Sequence, residues 1–227
     1  MISRARWAEV ALRYTFNDPT LLELALTHRS ASKHNNERLE YLGDSFLNFA
    51  IAHRLYDLRR EGAEGDLSRA RAALVKQPTL TTIGQRLGID SQIVLGAGEL
   101  RSGGAQRGAV LADAVEAVIG AVLLDGGTAA AEALIDLLFA EAFANLPDAS
   151  ALKDAKTRLQ EWLQGNSLNL PSYSVEDVTG RDHEQTFIVS CKVGERNAST
   201  TGQGPIRSRA EQEAAAAMLS VLIGEHD

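Results

Sequence analysis

The chain has 227 residues, 44% of them apolar and 5% aromatic, with 23 Lys+Arg against 30 Asp+Glu for a formal net charge of −7. That length suits one large domain or two ordinary ones, and the acidic balance argues against nucleic acid as the main partner, because such domains usually present a basic face. The charge-free stretch 214–224 is far short of the roughly 20 apolar residues of a membrane helix, residues 1–14 lack the apolar core of a secretory signal, and Cys191 has no second cysteine to pair with, so no membrane partner and a cytoplasmic location are expected.

Residues 1 to about 146 read as successive helices. Asn17-Asp18-Pro19 is a start signal, a capping side chain ahead of Pro in the first turn. Helices are expected over 36–58, 66–76 and 78–87, the last stopped by Gly88. Five glycines within 95–108 predict a loop. Helices resume over 110–124 and 128–144, parted by Asp125-Gly126-Gly127. No strand is expected in this half. Residues 147–153 read as a linker between a first domain over 1–146 and a second over 154–227. There Asp154 caps a helix reaching Gln164, and strands are expected over 172–178, 185–193 and, more weakly, 197–201. An Ala-rich helix over 206–223 closes an α-β-β-β-α order. The fold class is therefore an all-α domain followed by a small α+β domain.

The helix over 36–58 sets Glu37, Glu40 and Asp44 within about a quarter turn of one another, opposite Leu39, Leu42, Phe46, Phe49 and Ala50. The apolar set is expected to be the buried one. The helix over 110–124 repeats the arrangement, with Asp113 and Glu116 opposite Leu111, Val115, Val118 and Val122. Its acidic face otherwise holds Ala117 and Gly120, small enough for the two acidic faces to meet. Converging carboxylates raise one another's pKa unless a cation neutralises them, and an all-oxygen set favours Mg²⁺ or Mn²⁺ over zinc. On spacing alone, a solvated helix face is the other reading, and the commoner one.

The motifs themselves carry more information. The run from Asn36 to Leu47, Asn-Glu-Arg-Leu-Glu-Tyr-Leu-Gly-Asp-Ser-Phe-Leu, resembles the signature of ribonuclease III, the double-stranded-RNA endonuclease. Leu26-Thr27-His28-Arg29-Ser30, Glu64-Gly65-Asp66-Leu67-Ser68, Ser102-Gly103-Gly104 and Leu111-Ala112-Asp113-Ala114-Val115-Glu116-Ala117 match in order. The C-terminal segment is similar to that family's double-stranded-RNA-binding domain. The resemblance implies that Glu40, Asp44, Asp113 and Glu116 hold Mg²⁺, with Mn²⁺ able to substitute. Asp44 and Glu116 would be central to catalysis, and Glu37 and Glu64 would assist in substrate handling or at a second metal. It further implies cleavage by a metal-activated water, leaving 5′-phosphate and 3′-hydroxyl ends, in the processing of precursor ribosomal RNA and structured messages. A homodimer through the N-terminal domain would cut both strands. Phe46 and Phe49 are expected in the core, with the dimer contact as their other possible place.

Duplex RNA is recognised through minor-groove 2′-hydroxyls and phosphates. By the same resemblance Thr157, Gln160, Glu161 and Gln164 on the first helix of the second domain, His183 in the following turn, and Arg207 and Arg209 at the last helix would contact it. Where the family commonly has Ser-Lys-Lys after Gly-x-Gly, this chain has Ile206-Arg207-Ser208, one cation fewer. A non-cleaving duplex-RNA-binding regulator and a structural ribosome-associated protein are the competing readings, and the complete set of six carboxylates speaks against the first. Residues 1–150 carry 15 Lys+Arg and 19 Asp+Glu, and residues 151–227 carry 8 and 11, so neither half is basic. Because several of these acids are expected to hold cations, the acidity excludes nucleic acid no longer. It predicts only modest affinity and a shallow salt dependence.

Overall fold

The computed structural model describes residues 2–104, 107–146, 153–181 and 185–224. They fall into two compact units, Met1–Ala149 and Ser150–Asp227. The first is helical: α1 (Arg4–Trp7) runs into a π-helical turn Ala8–Leu12, followed by α2 (Pro19–Ala25), α3 (Glu37–Leu58), α4 (Glu64–Val75), α5 (Gln77–Leu87), α6 (Ala97–Arg101) and α7 (Gly108–Ala144). Asp18 caps α2 through Thr20 N at 2.9 Å, one residue ahead of Pro19. Gly88 ends α5 with φ +68°. The 95–108 loop holds one short helix that its glycines hide, and the N-terminal segment was not legible as helix at all. A single parallel bridge, Thr27 to Val94, is the only β pairing among the described residues of this unit.

α7 is hydrogen-bonded from end to end yet broken at Gly127, whose φ of 75° and ψ of −174° are non-helical. The break falls where Asp125-Gly126-Gly127 predicts it. Asp125 also fastens the N-terminal segment to this point: its carboxylate accepts from Tyr14 Oη at 2.7 Å, Asn17 N at 2.9 Å and Asp18 N at 2.8 Å. Burial works against the charge, but these hydrogen bonds prevail and hold the carboxyl below its ordinary pKa.

α3 and α5 both pack on α7, which is buried along most of its first half. The side of α3 that faces α7 buries Leu39 and Ala50 of the expected apolar set and corrects the rest. Leu39, Gly43, Leu47, Ile51 and Leu55 form the buried row, one residue every four. Leu42 and Phe46 are only half-buried, and Phe49 is 60% exposed. The cause is Gly43. A Cβ there would lie 1.8 Å from the Glu116 carbonyl oxygen, and one at Gly120 would lie 2.2 Å from that of Leu39. The two backbones meet where neither has a side chain, and this contact rotates α3 so that a second apolar side faces outward.

The second unit contains α8 (Ala155–Gly165), strands β1 (Ser172–Thr179), β2 (Thr186–Val193) and β3 (Ala198–Gly204), and α9 (Arg207–Gly224). The strands form an antiparallel sheet in the order β1-β2-β3, with a bulge between Val175 and Asp177. Asp154 caps α8 through Thr157 N at 2.9 Å, as its place in the sequence predicts. Leu159 and Leu163 of α8, Cys191 and Val193 of β2, and Ala214, Ala215, Met218 and Leu222 of α9 make the core. β3 approaches α9 closely because Gly202 and Gly204 have no Cβ; one at Gly202 would meet Ala214 N at 2.2 Å. The expected linker lies almost wholly outside the described residues.

Candidate metal centre and RNA-contacting surfaces

The Gly43–Gly120 crossing carries the carboxylates of α3 and α7 to one place. Among the described residues, Glu40, Asp113 and Glu116 each offer an oxygen, and these oxygens lie within 4.8 Å of one another. Asp44, one turn beyond Glu40, is exposed, and its carboxylate accepts from Asn48 Nδ2 at 2.8 Å. Three of the four expected ligands are thus gathered, and the fourth lies beside them, held by a neighbour on its own helix.

The electrostatics follow from this convergence. Burial, then the charges of Asp44, Asp113 and Glu40, pushes the Glu116 carboxyl up to about 8. Burial, then Asp113 and Glu37, raises Glu40. Burial raises Asp113, opposed by the positive fields of His28 and Arg29. Three mutually repelling, partly desolvated carboxylates are short of positive charge, and an all-oxygen donor set of this kind suits a hard divalent cation.

Two of the trio, Glu40 and Asp113, line a cleft of about 530 Å³ together with Asn36, Glu37, His28, Arg29, Ser30 and the ion pair Glu99–Arg107. The Thr27–Val94 bridge and a hydrogen bond from Gly96 N to Ser30 Oγ at 2.9 Å hold the His28–Ser30 turn in place. Arg29 lies 3.7 Å from Glu37, which is how Glu37 enters the site. Asn36 is buried at the edge of the cleft with its Nδ2 unpaired. Sequence reasoning quoted Thr27-His28-Arg29-Ser30 as a motif without assigning those side chains a place. A basic pair in a fixed motif ahead of an acidic helix was the available signal. Glu64 sits in the first exposed turn of α4, where its carboxylate accepts from Ser68 Oγ at 2.8 Å; among the described residues, no bond joins it to the trio.

In the second unit, Gln160, Glu161 and Gln164 are exposed along α8, and Thr157 is half-buried on the same row. Lys153 donates to Glu161 at 2.6 Å, and Thr157 Oγ1 donates to Asp154 at 3.0 Å. At the start of α9, Arg207 is exposed and donates to Glu211 at 2.8 Å, while Arg209 is exposed. His183 lies outside the described residues.

A helical unit with a carboxylate centre and an α-β-β-β-α unit define a two-part class, a nuclease joined to a binder of duplex RNA. The comparisons agree. Residues 18–142 match the family model described as Ribonuclease-III-like, and residues 155–222 match the double-stranded RNA binding motif. Ribonuclease 3 of Delftia acidovorans is 51% identical over 218 residues, 96% of each chain. That of Nitrosococcus oceani is 49% identical over 95% of this chain and 94% of its own. The crystal structure of the nuclease domain of ribonuclease III from Campylobacter jejuni is 37% identical with a TM-score of 0.61, covering 64% of this chain and all of that one. The chain belongs to the ribonuclease III family and is an endoribonuclease that acts on double-stranded RNA. Enzymes of this family depend on a metal, and the acidic trio is consistent with a site for it.

Proposed function

We propose that this endoribonuclease uses Mg²⁺, replaceable by Mn²⁺, held by Glu40, Asp44, Asp113 and Glu116, and leaves 5′-phosphate and 3′-hydroxyl ends. The observation that carries the reading is the convergence of Glu40, Asp113 and Glu116 at a crossing built on two glycines. When bound, the cation supplies Lewis-acid charge to the phosphodiester and acidifies a water. The chain's residues prepare for it. Glu40, Asp113 and Glu116 would hold the cation, with Glu116 deprotonated when it serves as a ligand, Asp44 would join them from one turn beyond Glu40, and Arg29, ion-paired with Glu37, lines the cleft that would receive the substrate phosphates. Glu64 completes the catalytic set from α4 as an aid to substrate handling.

RNA is held by Thr157, Gln160, Glu161 and Gln164 of α8, by His183, and by Arg207 and Arg209. The domains proposed are 1–146 and 154–227. The targets are precursor ribosomal RNA and structured messages in the cytoplasm. No described helix is long and apolar enough to cross a membrane.

The working form is a homodimer through the N-terminal unit. Tyr41 is 78% exposed and Phe49 and Tyr56 stand on the same outward side of α3, and Tyr41 borders a groove whose leucines, Leu21, Leu24, Leu42 and Leu124, are interspersed with polar and charged side chains such as Lys33 and Arg38. Several large apolar side chains exposed on one side of a helix suit an interface. A second Campylobacter jejuni structure, 39% identical with a TM-score of 0.59 over 61% of this chain, concerns a region involved in dimer formation of that nuclease domain.

The deciding experiment incubates the protein with long duplex RNA and Mg²⁺, with and without chelator, and examines product ends. Cutting that survives chelation would overturn the metal assignment. Glu116→Ala is expected to bind duplex RNA as before and to cut it at least roughly 100-fold more slowly, about 3 kcal/mol of barrier. Equal cutting would return Glu116 to the status of a surface acid.

A further inference from the structure

The start of α9 carries Arg207 and Arg209 with the neutral Ser208 between them, at the position where the family resemblance implies a further cation. The fold brings a second cation from another helix. Glu211, one turn along α9 and only 9% exposed, uses both carboxylate oxygens: Lys156 Nζ donates to Oε2 at 2.6 Å, and Arg207 Nε donates to Oε1 at 2.8 Å. One carboxylate thus gathers two cations, and the trio keeps a net positive charge.

The arrangement leaves donors for a ligand. Arg207 engages Glu211 through Nε alone, so the terminal guanidinium nitrogens of a side chain that is 61% exposed point to no protein acceptor among the described residues. Such a guanidinium edge is suited to bidentate phosphate binding. Lys156 Nζ lies 4.6 Å from the Tyr173 ring centroid, which steadies the ammonium, and the side chain keeps 36% of its surface exposed. Lys156 also precedes Thr157 on α8. Gln212, next to Glu211, ties down the same helix start: its Oε1 accepts from Lys156 N at 3.1 Å and its Nε2 donates to Asp154 Oδ1 at 3.0 Å. Two consecutive α9 residues therefore fix where the exposed row of α8 stands relative to Arg207.

We propose that Glu211 is a positioning residue that holds Lys156 and Arg207 as a clamp on the RNA phosphate backbone, with Lys156 supplying the cation that Ser208 does not. The clamp rests on the reading of this unit as a binder of duplex RNA and adds to it one contact, Lys156, and one organiser, Glu211.

The test is duplex-RNA binding by the full chain in chelator, where cutting does not intervene, across a KCl series, with thermal melting as the check on folding. Lys156→Gln is expected to weaken binding roughly three- to tenfold and to lower the salt slope by about one phosphate contact, while Lys156→Arg retains both. Ser208→Lys is expected to restore affinity and slope in the Lys156→Gln background and to add nothing to the unsubstituted chain. Glu211→Gln is expected to weaken binding even though it removes a negative charge. Tighter binding by Glu211→Gln would mean that the carboxylate merely neutralises cations, and would overturn the proposal. So would an unchanged slope in Lys156→Gln. Should Lys156→Gln fail to fold, the Ser208→Lys chain decides, since a steeper slope than the unsubstituted chain shows the phosphate position was vacant. If the unsubstituted chain prefers single strands to duplex, the duplex-RNA reading itself falls; if it prefers duplex and the variants match it, the clamp alone falls.

Discussion

Glu116 shows how position changes the chemistry of an ordinary carboxyl. Its folded-state pKa of about 8 stands above its ordinary 4.5, so between those values the metal-free folded protein holds a proton that the unfolded chain has released. The sign follows: metal-free stability falls as pH rises from about 4.5 to about 8, and a cation must displace that proton to bind. Mg²⁺ should therefore raise the melting temperature more at pH 8.5 than at pH 6, with proton release measurable by titration calorimetry in buffers of different ionisation heat. A Mg²⁺ effect that shrinks with rising pH would contradict the convergence of the trio. This residue was legible in the sequence as one acid in a motif. Its neighbours were legible only as an expectation that two acidic faces meet, and its burial was not, because both depend on a helix about 70 positions away.

The crossing of α3 and α7 is the element on which the site depends. In an isolated helix Gly43→Ala would stabilise by about 1 kcal/mol through propensity. Here the added Cβ would fall 1.8 Å from the Glu116 carbonyl oxygen, and forcing backbones apart costs about 1–3 kcal/mol or more. Gly43→Ala should thus lower the melting temperature and abolish Mg²⁺-dependent cutting, and a stabilised variant would show that the helices do not touch there. The wheel placed α3, its acids and the buried Leu39 and Ala50 well, but carried the buried side too far, to Leu42, Phe46 and Phe49. α3 is apolar on two sides, and periodicity cannot say which of them its own chain covers. The glycine in Tyr41-Leu42-Gly43-Asp44 was the clue, a residue whose use is set by what crosses it.

For the whole molecule, the exposed side of α3 and the acidic charge both bear on assembly. Phe49 and Tyr41 contribute little to the fold of a single chain, being 60% and 78% exposed. Tyr41→Glu together with Phe49→Glu should leave the helical circular-dichroism signal intact and shift the sedimenting species from dimer to monomer. An unshifted dimer would place the interface elsewhere. Net charges of −4 and −3 over residues 1–150 and 151–227 mean that few phosphates are neutralised. Duplex binding should lose affinity with salt less steeply than that of a Lys-rich relative, and a steep loss would show that contacts other than the named cations dominate.

By itself the sequence determined the two-part architecture, the order of the longer helices and of the strands, though not the short helices Arg4–Trp7 and Ala97–Arg101, and the break at Gly127, because periodicity, caps and motifs are local properties of a chain. Only the tertiary structure decided that Glu40, Asp113 and Glu116 share one place while Asp44 is turned to Asn48, that the Phe49 side of α3 is left uncovered, and that Lys156 stands beside Arg207 on one buried carboxylate. Each of these depends on two segments far apart in sequence approaching closely, and such an approach is set by which side chains are absent at the crossing as much as by those that are present.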